Sequence, residues 1–204
     1  LTKVQNTLVT PRLILASSSK YRQELLTRLK IPFLSVSPDV DETPFLGEPP
    51  EQLALRLALA KAQHIAQAYP KHVVIGADQV ASLHDLPLGK PGHAAAAHAQ
   101  LRQLSGQTVT FFSAMAVVLG SHVQSTVVPT HCVFRHLTEA AIARYIAIDQ
   151  PFDTAGSAKA ECLGIALMQS MHSSDPTSII GLPLIELTKM LAQVGLDPLD
   201  EHIQ

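Results

Sequence analysis

The chain has 204 residues and a formal net charge of −2, so it offers no block of Lys and Arg with which to grip a nucleic-acid polymer. Hydrophobic residues make up 47% of it, enough for a packed core. With 4% aromatics and no Trp, that core must be built from Leu, Ile, Val and Ala. No stretch approaches the roughly 20 apolar residues of a membrane span. Cys132 and Cys162 lie far apart without C-x-x-C spacing, which reads as two reduced, buried thiols in a cytoplasmic protein.

Residues 1–10 read as a frayed N-terminal arm ahead of a single domain over residues 11–204. Lys3, Gln5, Asn6, Pro11 and Arg12 interrupt any signal-peptide run there. The apolar run from Leu13 to Ala16 predicts a strand, ending in Ser17-Ser18-Ser19. A helix follows, with Tyr21, Leu25, Leu26 and Leu29 at helical spacing and Ser19 as its cap. Pro32 stops that helix, and Phe33 to Val36 predicts a second strand. The segment SPDVDETPFLGEPP is a loop rich in acids and prolines. A long helix is expected from Glu51 to about Tyr69, with Leu53, Leu57, Ala60 and His64 inward. Val73 to Ala77 predicts a buried strand carrying Asp78 at its C-terminal end.

His84 to Gly89 reads as a turn, and Ala94 to Leu104 as a helix stopped by Ser105-Gly106. Two β-branched segments between Gln107 and Arg135 flank Gly120-Ser121 and predict a hairpin. A helix capped by Thr138 runs to Ile148, and Ile165 to Met168 predicts a strand. A last helix is expected to open at Thr177 or Ser178 and to end near Val194, before Gly195. Alternating strands and helices of this kind predict an α/β fold with a mixed β-sheet and flanking helices.

In such folds active sites gather at strand ends and in the loops that follow. Ser17, Ser19 and Arg22 form a small-residue turn at a helix start, where backbone N–H groups and a guanidinium can hold a phosphate. The same turn is common in proteins that bind nothing. Asp39, Asp41 and Glu42 form an acidic loop that either holds Mg²⁺ with Asp78 beside a phosphate or is ordinary solvated turn chemistry. Asp78 is the more specific signal, because Val-Val-Ile-Gly-Ala ahead of it places the carboxylate from the sheet. Lys61 is a lone cation on a mostly apolar helix and either snorkels to solvent or serves the site. Gly89-Lys90-Pro91 fixes one ammonium between two backbone-restricting residues, but the full P-loop pattern is absent. The ten histidines are scattered without H-E-x-x-H, and His93 and His98, five apart, do not share a helical face.

The ordered set LILASSSKYRQELL, SPDVDETP, LALAKAQ, VIGADQV, LGKPG, LSGQTVTF, AGSAKAECLGIAL and IIGLPL resembles the Maf family of nucleotide pyrophosphatases, from about Leu13 to Leu199. The resemblance implies an elongated mixed sheet in two lobes around a central cleft, related to inosine triphosphatase and commonly a homodimer. It implies that Glu42, Lys61, Asp78 and Lys90 line the cleft, with Asp78 as proton acceptor. The family's turn is usually S-x-S-P-x-R. Ser17, Ser19 and Arg22 match it, and Lys20 stands in place of the proline.

Tyr21, Gln79 and Glu161 fall with the family's 7-methyl-GTP branch, as do Lys159 and the Phe134 to His136 run, whereas Gln23 departs from it. The implied reaction releases pyrophosphate from 7-methyl-GTP and so keeps a modified nucleotide out of nucleic acids. Its cofactor would be Mg²⁺ or Mn²⁺ on Glu42 and Asp78. Arg22, Lys61 and Lys90 would neutralise the triphosphate. Tyr21 would stack on the cationic base, a cation–π contact of about 0.5–2 kcal/mol. Glu161 would accept the guanine donors. Two alternatives stay open: the same reaction on dTTP, UTP or another modified nucleotide, and a nucleotide-binding regulator of septum formation.

Overall fold

The computed structural model describes residues 12–200, so the N-terminal arm lies outside the described residues. The first four elements follow the sequence closely. Strand β1 (Leu13–Ala16) is wholly buried, α1 (Lys20–Thr27) starts on Ser19, β2 (Phe33–Val36) follows, and α2 (Pro50–Ala68) begins after the acidic loop. Ser19 Oγ accepts the Arg22 N–H at 3.4 Å and so caps α1. In α2 a proline occupies the first turn, where no N–H partner is required.

Next come β3 (Val73–Leu83), β4 (Leu86–Leu88), α3 (Ala94–Leu104) and the long hairpin β5 (Thr108–Leu119) and β6 (His122–Phe134). The chain closes with α4 (Glu139–Asp149), β7 (Met168–Ser173) and α5 (Leu184–Gln193), with short 3-10 turns at Ala155–Ser157, Leu163–Leu167 and Ser178–Ile180. The sheet is mixed, in the order β2-β1-β3-β5-β6-β7, with β4 also on β3. β2, β1 and β3 are parallel, and the remaining pairings are antiparallel.

The pairing of β3 creates the cleft. β5 lies along one edge of β3 from Val74 to Ser82. The other edge meets β1 only from Val73 to Gly76, and β4 only from Ala81 to Leu83. Ala77 to Val80 therefore lie beside a gap in the sheet. The core divides at the same place. Leu25 and Leu26 of α1, with Leu187 and Leu191 of α5, pack on Leu13, Leu15 and Ile75. Leu101 of α3 and Ile142 of α4 pack instead on Ala81, Phe111 and Phe134. These two clusters are the cores of two lobes, and α2 covers the opposite face of the sheet through Leu57, Ala58 and Ala62.

Several expectations need correction. Asp78 stands in mid-strand rather than at a strand end, but the parallel pairing stops two residues before it, so the sheet still opens there. His64 is exposed and Ala60 only partly buried. The inward stripe of α2 runs through Leu53, Leu57, Lys61 and Ile65. Residues 165–167 form a 3-10 turn, and β7 begins only at Met168. The last helix opens at Leu184, because Gly181 turns left-handed at φ 106° and Pro183 follows. Thr177 nevertheless caps it from a distance: its hydroxyl accepts the Leu184 N–H at 2.8 Å, and Asp175 accepts the Ile185 N–H at 2.6 Å. The buried Asp175 was not singled out from the sequence. Cys132 is buried, whereas Cys162 is exposed, and both are free thiols. Among the described residues no helix is long and apolar enough to cross a membrane.

Candidate active site

Gly76 sets the distance between α2 and the sheet. A Cβ at this position would lie 2.2 Å from the Ala58 carbonyl oxygen and 2.5 Å from the Ala62 nitrogen. Only a residue without a side chain lets the helix backbone come this close. One turn along α2, that approach hangs Lys61 over Asp78. Lys61 is 6% exposed and Asp78 8% exposed, and Lys61 Nζ donates to Asp78 Oδ1 at 2.6 Å. The same ammonium meets Glu42 Oε1 at 2.6 Å from the acidic loop. Lys61 does not snorkel. It joins helix, strand and loop at the gap in the sheet.

The acidic loop splits by role. Asp39 is exposed, and Asp41 accepts the Thr43 N–H at 2.9 Å within a local turn, where the Thr43 side chain first and this N–H second bring its carboxyl below its ordinary value. Only Glu42 of the three turns to the site. Burial works to raise the Glu42 carboxyl, yet the hydrogen bond and charge of Lys61, followed by Lys90 and Arg22, bring it below its ordinary value. The loop is clasped by a pair the sequence reading missed. Arg56 of α2 meets both carboxylate oxygens of Glu48, at 2.6 and 2.8 Å, and donates to the Thr43 carbonyl at 3.0 Å. Its guanidinium also lies 4.0 Å from the Phe45 ring centroid. The spacing of Glu48 and Arg56 across a predicted loop-to-helix junction was the available signal.

Ser17 and Arg22 meet at the start of α1. Ser17 is buried, and its hydroxyl oxygen accepts the Ser19 N–H at 3.2 Å and Arg22 Nη1 at 3.4 Å. Arg22 Nε donates to the Gly181 carbonyl at 3.0 Å, fixing α1 to the turn before α5. Burial lowers the Arg22 guanidinium from its ordinary value, against the opposing charges of Asp78 and Glu42. Arg22 thus faces the carboxylate pair. Lys90 is exposed and acts on the site through its charge on Glu42.

Tyr21, Gln79 and Glu161, expected from the resemblance to choose the base, do not form one contact cluster. Tyr21 and Glu161 lie within electrostatic reach of each other: the Tyr21 phenol is raised by burial, with the charge of Lys159 opposing and that of Glu161 adding. Glu161 is an exposed loop residue, but protein packed about its carboxyl raises it. Its own backbone and Lys159 oppose that, while Asp149 and Asp153 add to it. Lys159 is 9% exposed and pairs with Asp153 at 3.0 Å, a partner without a sequence signal. Gln79 follows Asp78 along β3 and so leaves the sheet on the other face. There it bonds Ser113 and the Ser178–Ile180 turn, and among the described residues it shares no hydrogen bond with Tyr21 or Glu161. Phe134, 1% exposed, is a core residue.

Asp78 and Glu42 bring two hard oxygen donors to one cationic point, now filled by an ammonium. Among the described residues no group of three or more His, Cys, Asp or Glu could hold a metal ion. Two carboxylates suit Mg²⁺, which is usually held by one or two protein carboxylates together with substrate phosphates. The donor set fits a hard divalent cation.

A family profile described as Maf-like protein matches residues 12–194. The chain is 59% identical over 194 residues to the 7-methyl-GTP pyrophosphatase of Bordetella pertussis (strain Tohama I), covering 95% of this chain and 98% of that one. It is 60% identical over 189 residues to that of Bordetella avium (strain 197N), covering 93% and 96%. The Staphylococcus aureus Ham1 protein shares the fold, with a TM-score of 0.52 at 14% identity, over 90% of this chain and 98% of that one. With both lobes and the cleft inside the matched span, this chain belongs to the Maf family.

Proposed function

We propose that this protein hydrolyses 7-methyl-GTP at the bond between its α and β phosphates, giving 7-methyl-GMP and pyrophosphate. The observation that carries the chemistry is the buried Lys61 ammonium shared by Asp78 and Glu42 beside Arg22, at the break in the sheet. The relatives' printed activity supplies the base and the reaction.

Glu42 and Asp78 would hold a divalent cation, Mg²⁺ or Mn²⁺, which when bound neutralises and polarises the phosphate. Asp78 takes a proton from the attacking water, whose oxygen forms the new bond to the α phosphorus. The P–O bond to the β phosphate breaks, and pyrophosphate leaves with the electron pair. Arg22 and the Ser17 to Ser19 turn that leads into α1 hold the phosphates. Lys61 and Lys90 offset the charge that builds up on the leaving group. At the other end Tyr21 stacks on the cationic ring, Glu161 accepts from the guanine edge, and Gln79 completes the pocket. A cytoplasmic location, a homodimeric state and a housekeeping role belong to the same reading.

The test is turnover of 7-methyl-GTP in ¹⁸O-labelled water with Mg²⁺. One label in 7-methyl-GMP and none in pyrophosphate is expected, with activity lost to a chelator and restored by Mg²⁺ or Mn²⁺. Label in inorganic phosphate or pyrophosphate would contradict attack at the α phosphorus.

A further inference from the structure

Gln79 lies between the two lobes, on the sheet face opposite Asp78, with Ala77 packed into one core cluster and Ala81 into the other. Its Nε2 is 2.8 Å from Ser113 Oγ, 3.0 Å from the Ser178 carbonyl and 3.0 Å from the Ile179 carbonyl. The orientation of a glutamine amide is often ambiguous, because oxygen and nitrogen look alike. Here the partners decide it. Two carbonyl oxygens can only accept, so the NH₂ group must face them.

Ser113 completes the constraint. It is fully buried, pairs with Gln79 across β3 and β5, and gives its only O–H to the Ser178 carbonyl at 2.5 Å. It can therefore meet Gln79 only as an acceptor. The turn it holds is itself anchored, since the Ser178 hydroxyl lies 2.5 Å from Thr130 Oγ1 and 2.9 Å from Ser173 Oγ. Both N–H donors of Gln79 are thus committed. Its Oε1 has no partner among the described residues and is not sealed in the interior.

We propose that Ser113 is a positioning residue for base recognition: it locks the Gln79 amide so that only a carbonyl acceptor faces the nucleotide. This deepens the base-recognition reading above and rests on it. An outward acceptor suits the guanine edge, with its N1–H and N2–H₂ donors, and opposes the O4 carbonyl of uracil or thymine. Without Ser113 the Ser178 carbonyl loses its hydroxyl donor and the Ser178–Ile180 turn loses its tie to β5, so the two carbonyls that hold the amide shift, the amide can present either end, and discrimination relaxes.

The test is a double-mutant cycle of Ser113→Ala and Gln79→Ala, read as kcat/KM for 7-methyl-GTP and for UTP. Ser113→Ala alone should narrow the ratio of the two by about 10-fold, the cost of one misdirected hydrogen bond. In the Gln79→Ala background the same change should move the ratio less than about 2-fold, because the effect passes through the amide. An unchanged ratio in the single variant, or equal narrowing in both backgrounds, overturns the proposal. The Gln79 side-chain NH₂ signals of the wild-type protein give a second measurement that needs no variant. Slow solvent exchange is expected, and exchange as fast as that of a free glutamine overturns the lock. A wild type that prefers UTP or dTTP would overturn the base reading. The Ser113–Gln79 coupling, read on its two best nucleotides, would then still decide the positioning role.

Discussion

Among the described residues Asp78 has one close ionic partner, Lys61, and it has little exposed surface, so Asp78→Asn keeps its shape while removing the proposed proton acceptor. Turnover of 7-methyl-GTP should fall about 10²–10⁴-fold, with a melting transition still present by circular dichroism; more than a few per cent residual activity would contradict its role. Glu161 makes a pH prediction. Its carboxyl is raised, chiefly by burial, so it takes up a proton at higher pH than an ordinary glutamate as the solution is acidified. The protonated form turns an O–H toward the guanine donors. Glu161 should therefore add to kcat/KM for 7-methyl-GTP an acid limb at higher pH than an ordinary glutamate would give, and Glu161→Gln should remove that contribution, leaving the limb of the general base, at a lower overall value. Matching profiles in the two proteins would count against it. Among single residues, Ser17, Arg22 and Asp78 were legible because local pattern and family resemblance agree. Which of Asp39, Asp41 and Glu42 turns inward was not, since that depends on an ion pair with a residue about twenty positions away.

Helix α2 and the loop before it bring Lys61 and Glu42 to Asp78 on the sheet, and two substitutions test that arrangement. Gly76→Ala would drive a methyl group into the backbone at Ala58 and Ala62. Overpacking of this kind costs about 1–3 kcal/mol, and the helix would carry Lys61 away from Asp78. Denaturant unfolding should show the loss, and kcat should fall with it. Arg56→Ala should release the clasp on Glu48 and Thr43 and let Glu42 drift from Lys61. The Mg²⁺ concentration needed for half-maximal activity should rise, with little change in stability, and Arg56→Lys should restore it only in part because a lysine cannot meet both Glu48 oxygens. An unchanged Mg²⁺ requirement in Arg56→Ala would remove the clasp from the account. The early elements were legible because their signals are local: Ser19 and Thr138 cap α1 and α4, and a proline opens α2. The start of α5 was misread because its caps, Asp175 and Thr177, act across seven to ten residues of intervening chain.

Across the whole molecule, function follows from one topological fact, that β3 is shared by two lobes and bare between Gly76 and Ala81 on one edge. The pleat then sends consecutive residues in opposite directions, Asp78 toward Lys61 of α2 and Gln79 toward the Ser178–Ile180 turn on the other face. On the proposed function, reaction and base choice would then be separable on neighbouring positions. The α/β class and the order of the early strands were readable from alternating patterns. The gap was not, because it depends on where β1 stops and β4 begins along a strand that reads as continuous. The most direct measurement of the central claim is pyrophosphate release by the wild-type protein with Mg²⁺, as kcat/KM for 7-methyl-GTP, GTP, UTP and dTTP. 7-methyl-GTP should lead the panel, and GTP, lacking the ring charge, should fall behind it. A protein that prefers UTP or dTTP, or releases no pyrophosphate from any of the four, would contradict that claim.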